Sequence, residues 1–336
     1  MDYDAVKLMI SKKRSFLSPN SINMYVRNLR IVMDALGFDN IDKLEDIEKV
    51  IDYIKNEKNK IGASTSINTQ KNRISSIVVS LSSMNKEKYE DLIGEYQKVL
   101  LNYMNTIKKD KKDLDGGLNE KEKKNFITIK EMRKAFNYYN DKIKEKKIGM
   151  KKRITPEEKS LLQKFLVISL YTLLPPVRND YANVRVEDRA DFDELEEDEK
   201  DNKNFIIFNK DGTKDIILND YKTKKDFGTL ERELKKNSQI SKVLNKWRKY
   251  NKDSMYLLQT NAGNKMSRNT LTKFINRLFK PLYPDKKIST SLMRKAYSSQ
   301  KMKQKFKKNK SKMEEDAKFM GHTLNQQLET YNKNID

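Results

Sequence analysis

A charged, glycine-containing segment divides this sequence in two, and no single hydrophobic core can extend across it. The segment reads KKDKKDLDGGLNEKEKKN, occupies 108–125 and holds hardly any apolar residue. Such a composition is typical of an interdomain linker, and 336 residues are enough for two domains. We therefore expect an N-terminal domain at 1–107, a charged linker at 108–126 and a C-terminal domain at 127–336.

The residues before the linker predict an all-helical domain. Ser18 followed by Pro19 is typical of a helix start, and apolar residues then recur at helical spacing until Gly37. Similar patterns predict three further helices, across 44–54, from Ser66 to Leu81 and across 89–107.

The residues after the linker also predict helices. Thr128 and Thr155 each begin a Thr-x-x-Glu capping box, and the second has proline at its first helical position. The helix after Thr155 is apolar nearly all round from Leu161 to Leu174, as expected of a buried helix, before Pro175-Pro176 ends it. Ser267 is expected to cap a later amphipathic helix.

Convincing strand patterns occur in one region of the C-terminal half. NFIIF and DIILND flank an Asp211-Gly212 turn, and TLEREL follows them. We expect the acidic stretch 187–203 before them to be a solvated loop. The predicted fold class is mainly α, of the α+β type: an all-helical N-terminal domain and a helical C-terminal domain with a small three-stranded antiparallel sheet.

The charge balance predicts a polyanionic partner. Lys and Arg number 71 against 48 Asp and Glu, which gives a net charge of +23 and a pI of about 9.6. The chain has no cysteine and one histidine, so disulfides, zinc fingers and thiolate metal clusters are not expected. We also expect no membrane partner and no secretory signal, because the longest apolar stretch has 14 residues and includes a lysine. We therefore expect the protein to work inside a cell.

Five residues form an ordered set in the C-terminal half. They lie in LLPPVRNDY, DYKTKK, SLMR, MGHT and ETY, and they are Arg178, Lys222, Arg294, His322 and Tyr331. Each alone has an ordinary explanation. Lys222 is a typical solvated charge, Arg178 could cap the preceding helix, and His322 or Tyr331 could be packing residues.

Together, this set resembles the tyrosine recombinase (phage-type integrase) family. In that family an arginine follows a buried helix, a lysine lies in a hairpin, and a His-x-x-Arg box comes later. A Gly-His pair then precedes the nucleophilic tyrosine by nine residues, as Gly321-His322 precedes Tyr331 here. The resemblance covers the whole chain. The PPVRNDY segment is most like that of members from large DNA viruses or their satellite elements. This implies that the protein works in the cytoplasm or nucleus of a host cell.

The resemblance implies roles that suit the chemistry of these side chains. A tyrosine hydroxyl has a pKa near 10, so Tyr331 needs positive charge around it to attack a phosphodiester. Arg178 and Arg294 would bind the non-bridging oxygens, and His322 would donate to the phosphate or orient Tyr331. Lys222 would protonate the departing 5′ oxygen. No cofactor and no metal are implied.

Two points about this implied site are less regular. Lys224 and Lys225 are close rivals of Lys222 for the role of general acid. Three residues before Arg294 the family usually has His or Lys, whereas this chain has Ser291, whose hydroxyl is a poor proton shuttle near neutral pH. We therefore expect lower or differently gated cleavage.

The resemblance also implies double-stranded DNA as the partner, bound by a homotetramer on paired sites. The N-terminal domain would be the family's helical DNA-binding clamp, and the C-terminal domain its catalytic domain. Basic residues outside the implied active site are then candidate DNA contacts; these are Arg27, Arg30, Lys224, Lys225 and Lys295.

Two other functions fit the same residues. A type IB topoisomerase uses a similar constellation, although its tyrosine usually lies in a Ser-Lys-x-x-Tyr setting and this chain has QLETY. A non-catalytic DNA-binding protein on a recombinase scaffold is the second alternative, and Ser291 makes it plausible.

Overall fold

The computed structural model describes residues 1–112, 118–305 and 310–326. In these ranges the chain is mainly helical and includes one small sheet of four strands. It divides into two compact units, Met1–Leu114 and Asp115–Asp336. None of the helices in the described ranges is long and apolar enough to cross a membrane.

The first unit is all-helical, as predicted. Its α-helices are α1 (Tyr3–Lys13), α2 (Pro19–Leu36), α3 (Ile47–Asn56), α4 (Ile67–Met84) and α5 (Glu90–Lys112), with a 3-10 helix at Ile41–Glu45. Ser18 caps α2 as expected, and Gly37 ends it with φ 67°. Helix α1 was not predicted; Asp2 caps it, and Val6 and Ile10 bury its apolar side in the core of this unit.

The predicted linker at 108–126 contains more helix than its charge suggests. Helix α5 continues through Lys112, and a further helix, α6, occupies Glu120–Asn125. Asn119 and Glu122 form a reciprocal capping box at the start of α6. Leu118 and Phe126, on either side of this helix, are buried in the core of the second unit. The end of the predicted linker is therefore part of that unit.

The second unit surrounds one long buried helix. Its other helices after α6 are α7 (Ile129–Glu145), α8 (Pro156–Leu173), α9 (Arg189–Asp193), α10 (Glu197–Asn202), α11 (Lys224–Phe227), α12 (Gln239–Lys249), α13 (Arg268–Phe279), α14 (Thr290–Lys305) and α15 (Lys310–Phe319). The capping boxes of α7 and α8 and the Ser267 cap of α13 are confirmed. Helix α8 is the buried one and packs against α7 and α12.

The sheet differs from the prediction, because it has four strands and is mixed. The strands are β1 (Val184–Asp188), β2 (Asn204–Phe208), β3 (Lys214–Leu218) and β4 (Leu230–Leu234), in that spatial order. The antiparallel pairs β2–β3 and β3–β4 are the predicted ones, whereas β1 pairs in parallel with β2. A parallel pair needs a long crossover, and the acidic stretch supplies it as α9 and α10. The expected solvated loop at 187–203 was therefore wrong.

Strand β2 is buried on both faces. Ile206 faces the main core of the unit, while Phe205 and Ile207 form a small second cluster with Phe192 of α9. This explains why the strand is a continuous apolar run rather than an alternating one. The sheet is thereby held between the main core and the short helices that follow β1.

Candidate active site

The chain just after α8 holds Arg178 in a fixed position. The hydroxyl of buried Tyr171 donates to the carbonyl of Arg178 at 2.7 Å, and the Tyr171 ring packs edge-on against Tyr181. In the described part of the chain the Arg178 guanidinium makes no hydrogen bond to the last carbonyls of α8, so the helix-capping alternative is not supported. Its Nη1 instead lies 3.4 Å from where a Cβ on Gly321 would stand.

The Gly321-His322 pair forms a tight helix end. Gly321 has φ 72°, its N–H donates to the carbonyl of Lys318, and the N–H of His322 donates to the carbonyl of Ala317. These are the two hydrogen bonds of the Schellman motif, which needs a left-handed residue at this position. The residue after this turn, His322, is buried, with 3% of its surface exposed.

Arg294 joins α14 to this helix end. Its side chain is 1% exposed, and its Nη2 donates to the carbonyl of Met320 at 2.8 Å. Met320 directly precedes Gly321, so a buried guanidinium stabilises the C-terminal end of α15. Arg178, in the segment after α8, and Arg294, on α14, therefore approach the same turn from two separate parts of the chain.

The loop between β3 and β4 reaches the same turn. The hydroxyl of Thr223 donates to the carbonyl of Gly321 at 2.8 Å, and the Tyr221 ring lies 3.5 Å from the Cβ position of that glycine. Lys222 lies between these two residues and is exposed. The resemblance implies a lysine in a hairpin; Lys222 lies in the connection of the β3–β4 hairpin and not on a strand, because β3 ends at Leu218 and β4 begins at Leu230.

A buried asparagine fixes the start of this loop. The Asn204 side chain accepts from the N–H groups of Asn219 and Asp220 and donates to the carbonyls of Asp180 and Asp220. One side chain thus joins the segment after Arg178 to the loop that carries Lys222. Sequence reasoning missed Asn204, since a polar residue at the start of an apolar strand looks like an ordinary boundary.

The surroundings of Lys222 differ from those of Lys224 and Lys225, the other candidates for the general acid. The Lys224 ammonium donates to the carbonyl of Asp201 in α10. Lys225 is exposed and also lies in the short helix α11. Lys222 makes no hydrogen bond or ion pair within the described residues, and it alone is flanked by two residues that touch the Gly321 turn.

Tyr331 and Ser291 remain to be considered among the predicted site residues. Tyr331 is outside the described residues. Near the end of the described residues, the Gln326 N–H donates to the Thr323 hydroxyl and the Thr323 N–H donates to the Gln326 side-chain oxygen. This pair of hydrogen bonds caps a helical turn at 324–326. Ser291 lies in the first turn of α14 and is exposed, whereas Arg294 on the same helix is buried.

The electrostatics of the cluster keep the histidine neutral. Burial, followed by the positive charges of Arg294 and Arg178, lowers the pKa of His322 from 6.5 to about 3, although a hydrogen bond with the Thr323 backbone opposes the change. A neutral imidazole has one N–H donor and one acceptor nitrogen. At neutral pH the positive charge beside His322 therefore comes from the arginines and not from the imidazole.

A buried acid next to the arginines was not predicted. Asp180 is 6% exposed, and burial raises the pKa of its carboxyl even though Arg268, Arg178 and Arg294 favour the ionised form. Arg268 Nη2 lies 3.7 Å from its Oδ1. The only sequence signal was an acid two residues after Arg178. In the described ranges, no group of three His, Cys, Asp or Glu side chains could hold a metal ion.

The predicted DNA contacts outside the cluster fall into two groups. Arg27 and Arg30 are exposed on α2 of the first unit, and the Arg30 guanidinium lies 4.3 Å above the Tyr3 ring. Lys295 is instead paired with Glu122 of α6 at 2.5 Å, with its side chain 12% exposed. This ion pair ties α14 to α6 and partly neutralises the charge that Lys295 would offer to DNA.

The arrangement is suited to binding an anion that both guanidinium groups contact. Two guanidinium groups, a neutral imidazole and a loop with an exposed lysine meet at one helix end, and they come from four separate parts of the sequence. Guanidinium groups bind phosphate oxygens in pairs and never lose their charge at physiological pH. Comparisons of the chain with protein-family models, curated proteins and solved structures found no match.

Proposed function

We propose that this protein is a site-specific DNA recombinase that cleaves and rejoins DNA through a 3′-phosphotyrosyl intermediate at Tyr331. The observation that carries the proposal is the meeting of Arg178, Arg294, His322 and the Lys222 loop at Gly321. The spacing of His322 and Tyr331 in the sequence adds to it.

In this proposal Tyr331 attacks the phosphorus atom of one strand. A bond forms between the tyrosine oxygen and phosphorus, and the bond from phosphorus to the 5′ oxygen breaks. Lys222 donates a proton to that leaving oxygen, while Arg178 and Arg294 stabilise the charge on the non-bridging oxygens. The 5′ hydroxyl of another strand reverses the step, so the energy of the phosphodiester is conserved and no nucleotide cofactor is consumed.

His322 would begin this reaction neutral. Its N–H donor suits a non-bridging oxygen of the phosphate. A bound phosphodiester also adds negative charge beside the imidazole, which opposes the two arginines and raises the pKa of His322. The imidazole is then better able to accept the proton that Tyr331 loses.

A covalent adduct is the direct test of this function. A pool of nicked random-sequence duplexes, in which the cleaved strand fragment diffuses away, is incubated with the protein and with Tyr331→Phe. We expect wild type to form a protein–DNA adduct at the 3′ side of the break, mapped to Tyr331 by peptide mass, and Tyr331→Phe to form none. Tyr256→Phe is the matched control, because its hydroxyl makes no hydrogen bond among the described residues.

Two results would contradict the proposal. Tight DNA binding without an adduct on any duplex would favour a non-catalytic DNA-binding protein. An adduct accompanied by relaxation of supercoiled plasmids of any sequence, without strand exchange between two duplexes, would favour a type IB topoisomerase.

A further inference from the structure

A group of cations lies at the N-terminal end of α8, beyond the candidate active site. It combines the end of α7, the connection from α7 to α8 and the last turn of α12. Its members are Lys144, Lys146, Lys147, Lys152, Arg153, Lys246 and Lys249, and we call them the basic cluster.

Three contacts bring these segments together. Lys249 Nζ donates to the carbonyl of Gly149 at 3.1 Å, and the Tyr250 hydroxyl donates to the carbonyl of Lys151 at 2.7 Å. The Lys246 side chain lies 3.3 Å from where a Cβ on Gly149 would stand. The α12 cations are therefore held over the turn between α7 and α8.

The turn itself has an unusual backbone. Lys147 has φ 49°, and it is the one non-glycine residue with positive φ in the described chain. A lysine in this conformation costs roughly 1 kcal/mol relative to a right-handed one. The left-handed conformation of Lys147 places consecutive basic residues on a compact turn rather than along a longer helix.

The charges of the basic cluster are poorly compensated. Lys144 has a carboxylate within 3.8 Å, that of Asp141, and neighbouring Lys151 pairs with Glu158 at 2.5 Å. Within the described ranges, Lys146, Lys147, Lys152, Arg153 and Lys246 form no ion pair. Burial and the charge of Lys144 lower the pKa of Lys246. Uncompensated like charges repel one another, and a bound polyanion would relieve this cost.

The basic cluster is too far from the candidate active site to contact the same phosphate. Helix α8 has 18 residues between them, with the cluster at its N-terminal end and Arg178 beyond its C-terminal end. At 1.5 Å per residue the helix is roughly 27 Å long, equal to about eight base pairs of duplex DNA.

We propose that the basic cluster is a second DNA-binding surface, which holds phosphates of duplex DNA at a distance from the bond that is cleaved. The choice of DNA as the polyanion rests on the proposed function. An anionic membrane fits less well, because membrane-surface binding needs an apolar face beside the cations, and in this described turn Met150 is the one exposed large apolar side chain.

The salt dependence of DNA binding tests this surface. The triple variant Lys146→Gln, Lys152→Gln, Arg153→Gln removes three exposed charges that form no ion pair. Its matched control is Lys134→Gln, Lys210→Gln, Lys235→Gln, which removes three exposed charges elsewhere in the second unit. The dissociation constant for a random-sequence duplex of about 40 base pairs is measured over a range of salt, because each lost phosphate contact lowers the logarithmic slope by about 0.9.

We expect the slope of the basic-cluster variant to fall by about 2 to 3, and that of the control by less than 1. Unchanged slopes, or equal falls in both variants, would overturn the proposal. Tighter binding of wild type to phosphatidylserine vesicles than to the duplex, lost in the basic-cluster variant, would overturn it in favour of a membrane surface.

The adduct assay keeps this inference separate from the proposed function. A reduced slope together with no adduct in wild type would contradict the recombinase and support the DNA-binding surface. An adduct with an unchanged slope would support the recombinase and contradict the surface.

Discussion

The Thr223 hydroxyl donates to the carbonyl of Gly321 at 2.8 Å, across 98 residues of sequence. This hydrogen bond joins the loop that carries Lys222 to the helix end that carries His322. Lys222 and His322 are both proposed to act on one phosphate. Their relative position depends on this hydrogen bond and on the absence of a side chain at Gly321.

Gly321→Ala should impair cleavage more than it impairs folding. The new Cβ would stand 2.8 Å from Thr223 Oγ1 and 3.4 Å from Arg178 Nη1, so the loop and the guanidinium would have to move. The left-handed backbone adds a cost of about 1 to 2 kcal/mol. Thermal unfolding and the rate of adduct formation measure the two effects.

Gly263→Ala is the control for the backbone cost. Gly263 has φ 79° and open space around its Cβ position. It should lose similar stability and keep its cleavage rate. Equal losses of cleavage in the two variants would show that Gly321 acts through stability alone.

Lys222→Ala should be rescued by a better leaving group. If Lys222 protonates the departing 5′ oxygen, a duplex with a bridging 5′ sulfur makes the lysine unnecessary, since a thiolate leaves without a proton far more readily than an alkoxide. We expect Lys222→Ala to lose about 100-fold or more in cleavage of ordinary DNA and to recover most of it on the sulfur substrate.

Lys224→Ala and Lys225→Ala provide the comparison. Both should cleave the two substrates with the same ratio as wild type. A selective rescue of either one, with none for Lys222→Ala, would move the general acid to that lysine.

The sequence predicted those parts of the protein that depend on neighbouring residues. The caps at Ser18, Thr128 and Thr155 each involve residues three positions apart, and all three are present. The turn at Gly321 is also local, because its two hydrogen bonds close within one helix end.

Long-range pairings explain what the sequence did not predict. Strand β1, VRVED, has no hairpin turn that joins it to a neighbouring strand in the sequence, and it pairs in parallel with β2 only after a two-helix crossover. The position of Lys222 in a turn and the burial of Asp180 likewise depend on Asn204, which joins two segments far from each other in sequence. Contacts of this kind leave no periodic pattern.

His322 should remain neutral well below the usual range of histidine. Its pKa in the folded protein is about 3, below the ordinary 6.5, so between these values the unfolded chain binds more protons than the folded one. The contribution to stability is therefore complete above about pH 6.5 and is lost as the pH falls towards 3. Its slope approaches about 1.4 kcal/mol per pH unit.

An NMR titration of imidazole signals reports on His322 alone, because His322 is the only histidine in the chain. Its imidazole signals in an NMR titration should not shift between pH 7 and 5. His322→Gln should remove this part of the pH dependence of unfolding, and the difference between the two proteins cancels the effect of Asp180. A midpoint near 6.5 would contradict the buried environment of the imidazole.

Ser291→His should raise the rate of cleavage. Ser291 is exposed in the first turn of α14, on the same helix as Arg294, so a larger side chain can be accommodated there without disturbing the core. A histidine adds a group that transfers protons near neutral pH, and we expect a gain of about tenfold on a nicked duplex. Ser291→Asn is the matched control, because an amide can donate to a phosphate but cannot shuttle a proton. Cleavage by the histidine variant that is no faster than that of wild type would contradict this prediction. Equal gains in both variants would show that the added group acts as a hydrogen-bond donor only.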